Sequence, residues 1–332
     1  MNRLAIIGAG SWGTALACVL APRFREVRLW VYEQDLAARL RETRENDVYL
    51  PGFRLPENIL VHTGLGETLE GAEVVLTVAP SHVTRATVER MLPHLTPSML
   101  YVSATKGLET GTLLRMSEVI RQVAAPRFEP RVAVLSGPTF AREVAAGDAT
   151  ALVISSPDRE LNETIQRAFS GPTFRLYTNP DPVGVELAAA LKNVIAIGAG
   201  VCNGLGAGNN TIAALITRGL AEMTRLAVSL GGDPRTLAGL AGLGDLVLTC
   251  TGALSRNRQV GIELGHGRSL AEIVASMRMV AEGIQTAYAA MDLSARCAIE
   301  MPIACQVNAI LRGERSPRKA VRELMERSLK RE

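Results

Sequence analysis

The strongest constraint on this chain lies in its first twenty or so residues. An apolar run at 3–7, RLAII, passes directly into Gly8-Ala9-Gly10-Ser11-Trp12-Gly13, and that turn passes into the helix-forming stretch TALACVLA. Glycine at these three spacings suits a strand that delivers the chain into a tight turn at a helix start. One glycine makes the turn, one lets a ligand approach the backbone, and one lets the helix pack closely. Amide groups at such a helix start, aided by the helix dipole, suit a pyrophosphate. A second apolar run at 27–32, VRLWVY, ends just before Glu33, twenty residues beyond Gly13. At that spacing a carboxylate can hold an adenosine ribose 2′-hydroxyl and disfavour a 2′-phosphate, which tilts the expected cofactor toward NAD. A one-residue shift would put Tyr32 at the ribose instead, and Arg28 or Arg39 could serve a 2′-phosphate, so NAD and NADP both remain open.

Further apolar strands are expected at 73–79, 99–103, 131–135, 150–155 and 173–177, with helical patterns between most of them. Strands separated by helices predict an α/β fold with a doubly wound, Rossmann-type parallel sheet. Near-continuous apolar runs such as AEVVLTVAP fit parallel strands buried on both faces. At Asn179-Pro180-Asp181-Pro182 the pattern changes, because two prolines bracket an aspartate able to cap the next helix. Beyond it only helices are expected, at 182–203, 209–231, 255–265, 269–276, 283–297, 302–312 and 317–329. The expectation is therefore a dinucleotide-binding domain over 1–180 and an all-α C-terminal domain over 181–332. Ligands of such sheets gather beyond the carboxyl ends of the strands. Pro80-Ser81-His82 and Thr105-Lys106-Gly107 fall there; His82 reads as an ordinary loop side chain, whereas Lys106 aims into the crevice.

Charge and cysteine content remove several function classes. The formal charge is only +3 and the basic residues are scattered, which argues against a nucleic-acid partner. Five cysteines, odd in number and widely spaced, fit reduced thiols in a cytoplasmic protein. The N-terminus imitates a secretion signal, but glycines 8, 10 and 13 interrupt its apolar stretch. No later run of about 18 uninterrupted apolar residues predicts a membrane span. His62, His82, His94 and His266 lack ligand spacing, so no metal is expected.

Lysine is scarce, four against thirty-two arginines, and one of the four, Lys192, sits inside the apolar run GVELAAALKNVIAIGAG. Arginine stays protonated in proteins, whereas a desolvated lysine can exchange its proton. Hydride reduction of a ketone builds charge on the carbonyl oxygen, and Lys192 is the candidate proton donor. Its apolar neighbours are expected to lower its pKa toward neutrality. Asn193, adjacent on the same helix, can hold a substrate hydroxyl or the cofactor amide. Asp245, in Gly242-Leu243-Gly244-Asp245, can pair with Lys192 or cap the helix starting at Leu246. Ser255-Arg256-Asn257 opens another helix, where a cap, a planar cation and backbone amides suit a phosphate dianion.

Longer motifs then narrow the field. SGPTFAREVAAG at 136–147, LKNVIAIGAGVCNGLGAGNNTIAALITRGLAEM at 191–223, AGLGDLVLTCTGALSRN at 241–257 and VAEGIQTA at 280–287 resemble the signatures of the NAD(P)-dependent glycerol-3-phosphate dehydrogenase family. GAGSWGTALA and NDVYLPG at 46–52 are similar to it as well, so the resemblance spans nearly the whole chain. It implies reversible reduction of dihydroxyacetone phosphate to sn-glycerol 3-phosphate for glycerophospholipid synthesis, by NADH or NADPH. It further implies Lys106, Gly137 and Thr139 as substrate contacts, and Ser11, Trp12, Tyr32, Tyr49, Ala141, Arg256, Val280 and Glu282 near the cofactor, with Lys106 shared. The chain departs from the family pattern at Val31-Tyr32, where a small residue and then a basic or imidazole side chain are usual. Two rival readings are a 3-hydroxyacid or 6-phosphogluconate-type dehydrogenase and a non-catalytic dinucleotide sensor. The oligomeric state is not legible here; a homodimer is a permitted assembly.

Overall fold

Strand β1 (Arg3–Ile7) is apolar from Leu4 onward because both of its faces are buried there. Leu4 and Ile6 point into one core with Leu16, Leu20 and Phe169, while Ala5 and Ile7 point into another with Val75, Tyr101 and Ile120. Successive strand residues face opposite sides, so a strand covered by helices on both sides has no polar face to show. Each such isoleucine contributes about 1.5–3 kcal/mol by leaving water. The computed structural model describes residues 1–277 and 281–329.

The remaining strands are β2 (Glu26–Trp30), β3 (Glu45–Asn46), β4 (Leu50–Arg54), β5 (Ile59–His62), β6 (Val74–Thr77), β7 (Leu100–Ser103), β8 (Arg131–Ser136), β9 (Thr150–Ser155) and β10 (Phe174–Asn179). Eight form one sheet in the order β10-β9-β8-β7-β6-β1-β2-β5, and β3 pairs with β4 in a small hairpin. In register, Ile7 lies opposite Trp30 on one side and Thr77 on the other. Chain order reverses at β1, with β2 to one side and β6 to the other, so the switch point of the doubly wound sheet falls where the Gly8–Gly13 turn leaves β1.

Two features differ from the expected strands and their direction. Strand β5 and the β3–β4 hairpin add to the expected strands, and β9 runs antiparallel to β8, pairing Val134 with Ser155. The link between β8 and β9 carries only the six-residue helix Ala141–Ala146, whereas β9 and β10 are joined through the longer helix Arg159–Phe169 and run parallel. A parallel crossover needs a helix long enough to return along the sheet, and the first link holds only a short one.

The chain divides into two compact units, Met1–Glu109 with Leu114–Glu186 and Thr110–Leu113 with Leu187–Glu332. The division falls inside the helix Pro182–Gly204, after its first turn. Among the described residues the second unit is all helical; Pro234–Leu237 and the π-helical turn Leu240–Gly244 add to the expected helices, and the helix expected from Leu246 spans Asp245–Thr251. Pro182–Gly204 is long and apolar enough to cross a membrane by length and composition, with mean hydropathy 1.6, yet its whole apolar window is buried inside the protein, as in a core helix. Glycines let its backbone touch the helix Arg256–Gly265. A Cβ on Gly200 would lie 2.0 Å from the Arg258 carbonyl oxygen, and one on Gly261 2.0 Å from that of Ile197. This seam fixes the start of one helix, at Arg256, against the helix that carries Lys192.

Candidate active site

In the first unit the three glycines of the turn have different surroundings. Gly8 takes a φ of +119°, which favours glycine, and a Cβ there would come within 3.1 Å of the Val78 carbonyl carbon. A Cβ on Gly13 would lie 1.9 Å from the Gly8 carbonyl oxygen, so the helix Ser11–Leu20 can seat on the turn only without one. At Gly10 no protein atom lies within 4 Å of an added Cβ, which leaves that backbone open to a ligand. Trp12 Nε1 is buried with no hydrogen-bond partner in the protein, an orphan that a bound molecule can satisfy. A cradle closed to side chains, an open backbone and an orphaned donor fit a dinucleotide pyrophosphate.

The hairpin supplies a brace absent from the expected site. Asn46, fully buried, donates through Nδ2 to the Ala9 carbonyl (2.8 Å) and to Thr14 Oγ1 (2.8 Å), and its Oδ1 accepts from the Tyr49 amide (3.0 Å). The Tyr49 hydroxyl donates to Glu33 Oε1 at 2.7 Å, and that bond, then burial and the Glu33 charge, raise the phenol above its ordinary pKa. Glu33 stands exposed at the N-terminal end of the helix Gln34–Thr43. Tyr32 is exposed, its ring edge-on to Trp30. Arg28 and Arg39, the alternative partners of a 2′-phosphate, are both engaged elsewhere. Arg28 bonds Glu26 at 2.6 Å and the Glu70 carbonyl at 3.0 Å, and Arg39 pairs with Asp47 at 3.2 Å.

Lys106 is half-buried, and its Nζ reaches the Gly137 carbonyl at 3.4 Å and Thr139 Oγ1 at 3.5 Å, so three predicted substrate contacts converge in this unit. Gly137 adopts a φ of +149°, and a Cβ would meet the Leu152 side chain at 2.8 Å. Ala141 starts the short helix that follows and packs on the first core. His82 is exposed in the first turn of the helix Ser81–Met91.

In the second unit Lys192 is 4% exposed and donates to Asp245 Oδ1 at 2.5 Å and Thr249 Oγ1 at 2.8 Å. Asp245 is completely buried, and Thr249, one turn further along its helix, donates in turn to the Asp245 carbonyl at 2.6 Å. The expected apolar surroundings need correction at the amine itself. Its direct partners are an acid and a hydroxyl, which hold the nitrogen in place. Of the two roles expected for Asp245 the cap is corrected: the helix starts one residue earlier, at Asp245 itself, Gly244 stands at the cap position with no side-chain cap bond, and the Asp245 carboxylate is turned to Lys192 instead. Cys250 lies beside this pair, but burial pushes its thiol up to about 12, so it is no nucleophile near neutral pH.

Asn193, also buried, accepts from Asn257 Nδ2 at 3.0 Å, and Asn257 Oδ1 accepts from the Gly283 amide at 2.9 Å. Ser255 caps its helix through the Arg258 amide at 3.2 Å, a contact worth about 1 kcal/mol. Arg256 begins that helix with its side chain partly open to solvent. Crowding by protein pulls its pKa below the usual arginine value, and the Glu282 charge opposes this. Glu282 opens the helix Glu282–Cys297, and Val280 lies outside the described residues. Among the described residues no group of three or more His, Cys, Asp or Glu side chains could hold a metal ion. Sequence reasoning missed Asn46 and Thr249. The second carried a signal, since a residue four beyond Asp245 on a helix shares its face.

Two family models, for the N-terminus and C-terminus of NAD-dependent glycerol-3-phosphate dehydrogenase, match residues 3–162 and 181–322. A relative from Koribacter versatilis named glycerol-3-phosphate dehydrogenase [NAD(P)+] is 57% identical over 98% of both chains. The chain belongs to the NAD-dependent glycerol-3-phosphate dehydrogenase family. Another glycerol-3-phosphate dehydrogenase [NAD(P)+], from Syntrophotalea carbinolica, is 53% identical over 99% of both chains. The crystal structure of glycerol-3-phosphate dehydrogenase from Coxiella burnetii superposes with a TM-score of 0.94 at 42% identity, covering 98% of this chain and 99% of that one. Membership in the glycerol-3-phosphate dehydrogenase family replaces the hydroxyacid and sensor readings.

Proposed function

We infer that this chain catalyses the reversible reduction of dihydroxyacetone phosphate to sn-glycerol 3-phosphate with NADH or NADPH, feeding glycerophospholipid synthesis. The observation that carries the reading is the Lys192–Asp245 pair, a proton-bearing amine held at 2.5 Å by a fully buried acid. A bound reduced nicotinamide supplies the hydride. As the carbonyl π bond breaks and a C–H bond forms at carbon, the Lys192 ammonium gives its proton to the oxygen and is left as a neutral amine. In oxidation the amine takes the hydroxyl proton back. Asp245 and Thr249 fix the nitrogen, and Asp245 balances its charge through the cycle. Asn193, locked by Asn257, offers its amide for a substrate hydroxyl or the cofactor amide.

The phosphate is assigned to Ser255, Arg256 and Asn257 at the start of their helix, with Lys106, Gly137 and Thr139 as further substrate contacts. The dinucleotide is assigned to Gly8, Gly10, Ser11, Trp12 and Gly13, with Tyr32, Glu33, Tyr49, Lys106 and Ala141 as its further contacts in the same unit; Arg256, Val280 and Glu282 are cofactor contacts that the family resemblance implies. A cytoplasmic homodimer completes the proposal, and five free thiols support a reducing compartment. The test is loss of absorbance at the NADH band when dihydroxyacetone phosphate is added, with unphosphorylated dihydroxyacetone as control. Turnover of the phosphorylated ketone supports the assignment, and tight NADH binding without turnover defeats it.

A further inference from the structure

We propose that the β3–β4 hairpin is a specificity brace, and that Tyr49, by holding the Glu33 carboxylate, makes this family member select NAD over NADP. The proposal rests on the reading that the Gly8–Gly13 turn holds a dinucleotide. One continuous chain of hydrogen bonds links the two ends of that site. The Ala9 carbonyl in the turn accepts from Asn46, Asn46 accepts from the Tyr49 amide, and the Tyr49 hydroxyl donates to Glu33. Asn46 is fully buried and also bonds Thr14 in the helix leaving the turn, so the inner end of the brace is fixed. Glu33 is otherwise an exposed side chain free to rotate away, and the phenol at 2.7 Å pins one of its oxygens.

Pinned there, the carboxylate has a free acceptor oxygen for a ribose 2′-hydroxyl and a negative charge to meet a 2′-phosphate. The nearby cations do not offset that repulsion. Arg28 lies within β2, tied to Glu26 and to the Glu70 carbonyl, and Arg39 is committed to Asp47. Releasing either for a 2′-phosphate would break an existing ion pair. A carboxylate as exposed as Glu33, facing a phosphate of charge about −1.5 to −2 across about 5 Å at an effective dielectric of about 40, between a surface pair and bulk water, lowers affinity on the order of a hundredfold.

The test titrates NADH and NADPH into the whole protein without substrate, following nicotinamide fluorescence, so its readout is independent of turnover. The wild type is expected to bind NADH about a hundredfold more tightly than NADPH. Glu33→Gln keeps the shape and removes the charge, and should cut that ratio below about tenfold. Tyr49→Phe keeps the ring packing and frees the carboxylate, and should lower the ratio about fivefold, the worth of one hydrogen bond. General damage to the hairpin would weaken both cofactors alike and leave the ratio unchanged, which would overturn the role given to Tyr49. Equal affinities in the wild type, or tighter NADPH, would overturn the selectivity while leaving the dinucleotide site intact. Failure to bind either cofactor would overturn the underlying site and the proposal with it.

Discussion

Asp245→Asn removes one charge from the Lys192 pair while keeping the side chain's shape. With Lys192 4% exposed and Asp245 completely buried, neither charge has water to fall back on. Breaking such a pair from one side leaves an uncompensated buried charge and costs about 3–5 kcal/mol. Lys192→Met, the reverse truncation, should cost a similar amount. The double variant carries no charge at the site, so its loss should fall short of the summed single losses by at least about 2 kcal/mol. Urea unfolding followed by circular dichroism reports this well, because the second unit is helical and both tryptophans, Trp12 and Trp30, lie in the first. Additive losses, or single losses below about 1 kcal/mol, would refute the picture of a desolvated, mutually dependent pair.

Three further outcomes follow from other parts of the molecule. Gly261→Ala drives a Cβ to 2.0 Å from the Ile197 carbonyl oxygen and 2.7 Å from the Val201 nitrogen, backbone atoms that cannot step aside. Thermal unfolding should show a loss of about 3 kcal/mol or more, and an unchanged melting temperature would contradict the seam. Burial raises the Glu222 carboxyl from 4.5 to about 7, against the pull of the Ile303 and Ala304 amides that bond it. The folded state thus holds this proton more tightly than the unfolded chain. The resulting stabilisation, about 3 kcal/mol, is complete below the unfolded value and is lost as pH rises through about 7. Urea midpoints should fall between about pH 5 and about pH 8, and Glu222→Gln should flatten that fall; an unaltered slope in the variant would assign it elsewhere. Arg256→Ala should raise KM for dihydroxyacetone phosphate about a hundredfold and scarcely change turnover of unphosphorylated dihydroxyacetone, as loss of a charge-assisted phosphate contact requires. Equal losses on both ketones would move Arg256 to the cofactor or the fold.

Much of the sheet was legible because buried strands are written as short apolar runs, and 131–135 and 150–155 are too short and too rich in Val, Ile and Leu to read as helices. Their direction was not. An apolar run carries no sign of which way it points, so the reversal of β9 against β8 depends on the short link between them. Strand β5 escaped because it is an edge of four residues with Leu60 turned to solvent, and the hairpin because β3 pairs only two residues and Pro51-Gly52 interrupts β4. The turn Leu240–Gly244 read as a loop through its glycines, although a Cβ on Gly242 would lie 2.0 Å from the Leu237 carbonyl oxygen and the residue is there for close packing.

The candidate site was legible where residue chemistry was out of place. A lysine in an apolar helix of a lysine-poor chain drew attention to Lys192, and the structure brings Asp245 to it. Thr249 showed only its place one turn beyond Asp245 on the same helix face, and Asn46 was silent, because an asparagine before a turn is ordinary in sequence. Their roles arise from partners 57 and 37 residues away.

The central claim is that Lys192 carries the proton, and turnover of Lys192→Ala measures it directly alongside NADH affinity of the same preparation. The account predicts that kcat for dihydroxyacetone phosphate reduction falls by about 10²–10⁴ or more, with the NADH dissociation constant within about threefold of wild type. Turnover within about threefold of wild type would remove Lys192 from the chemistry.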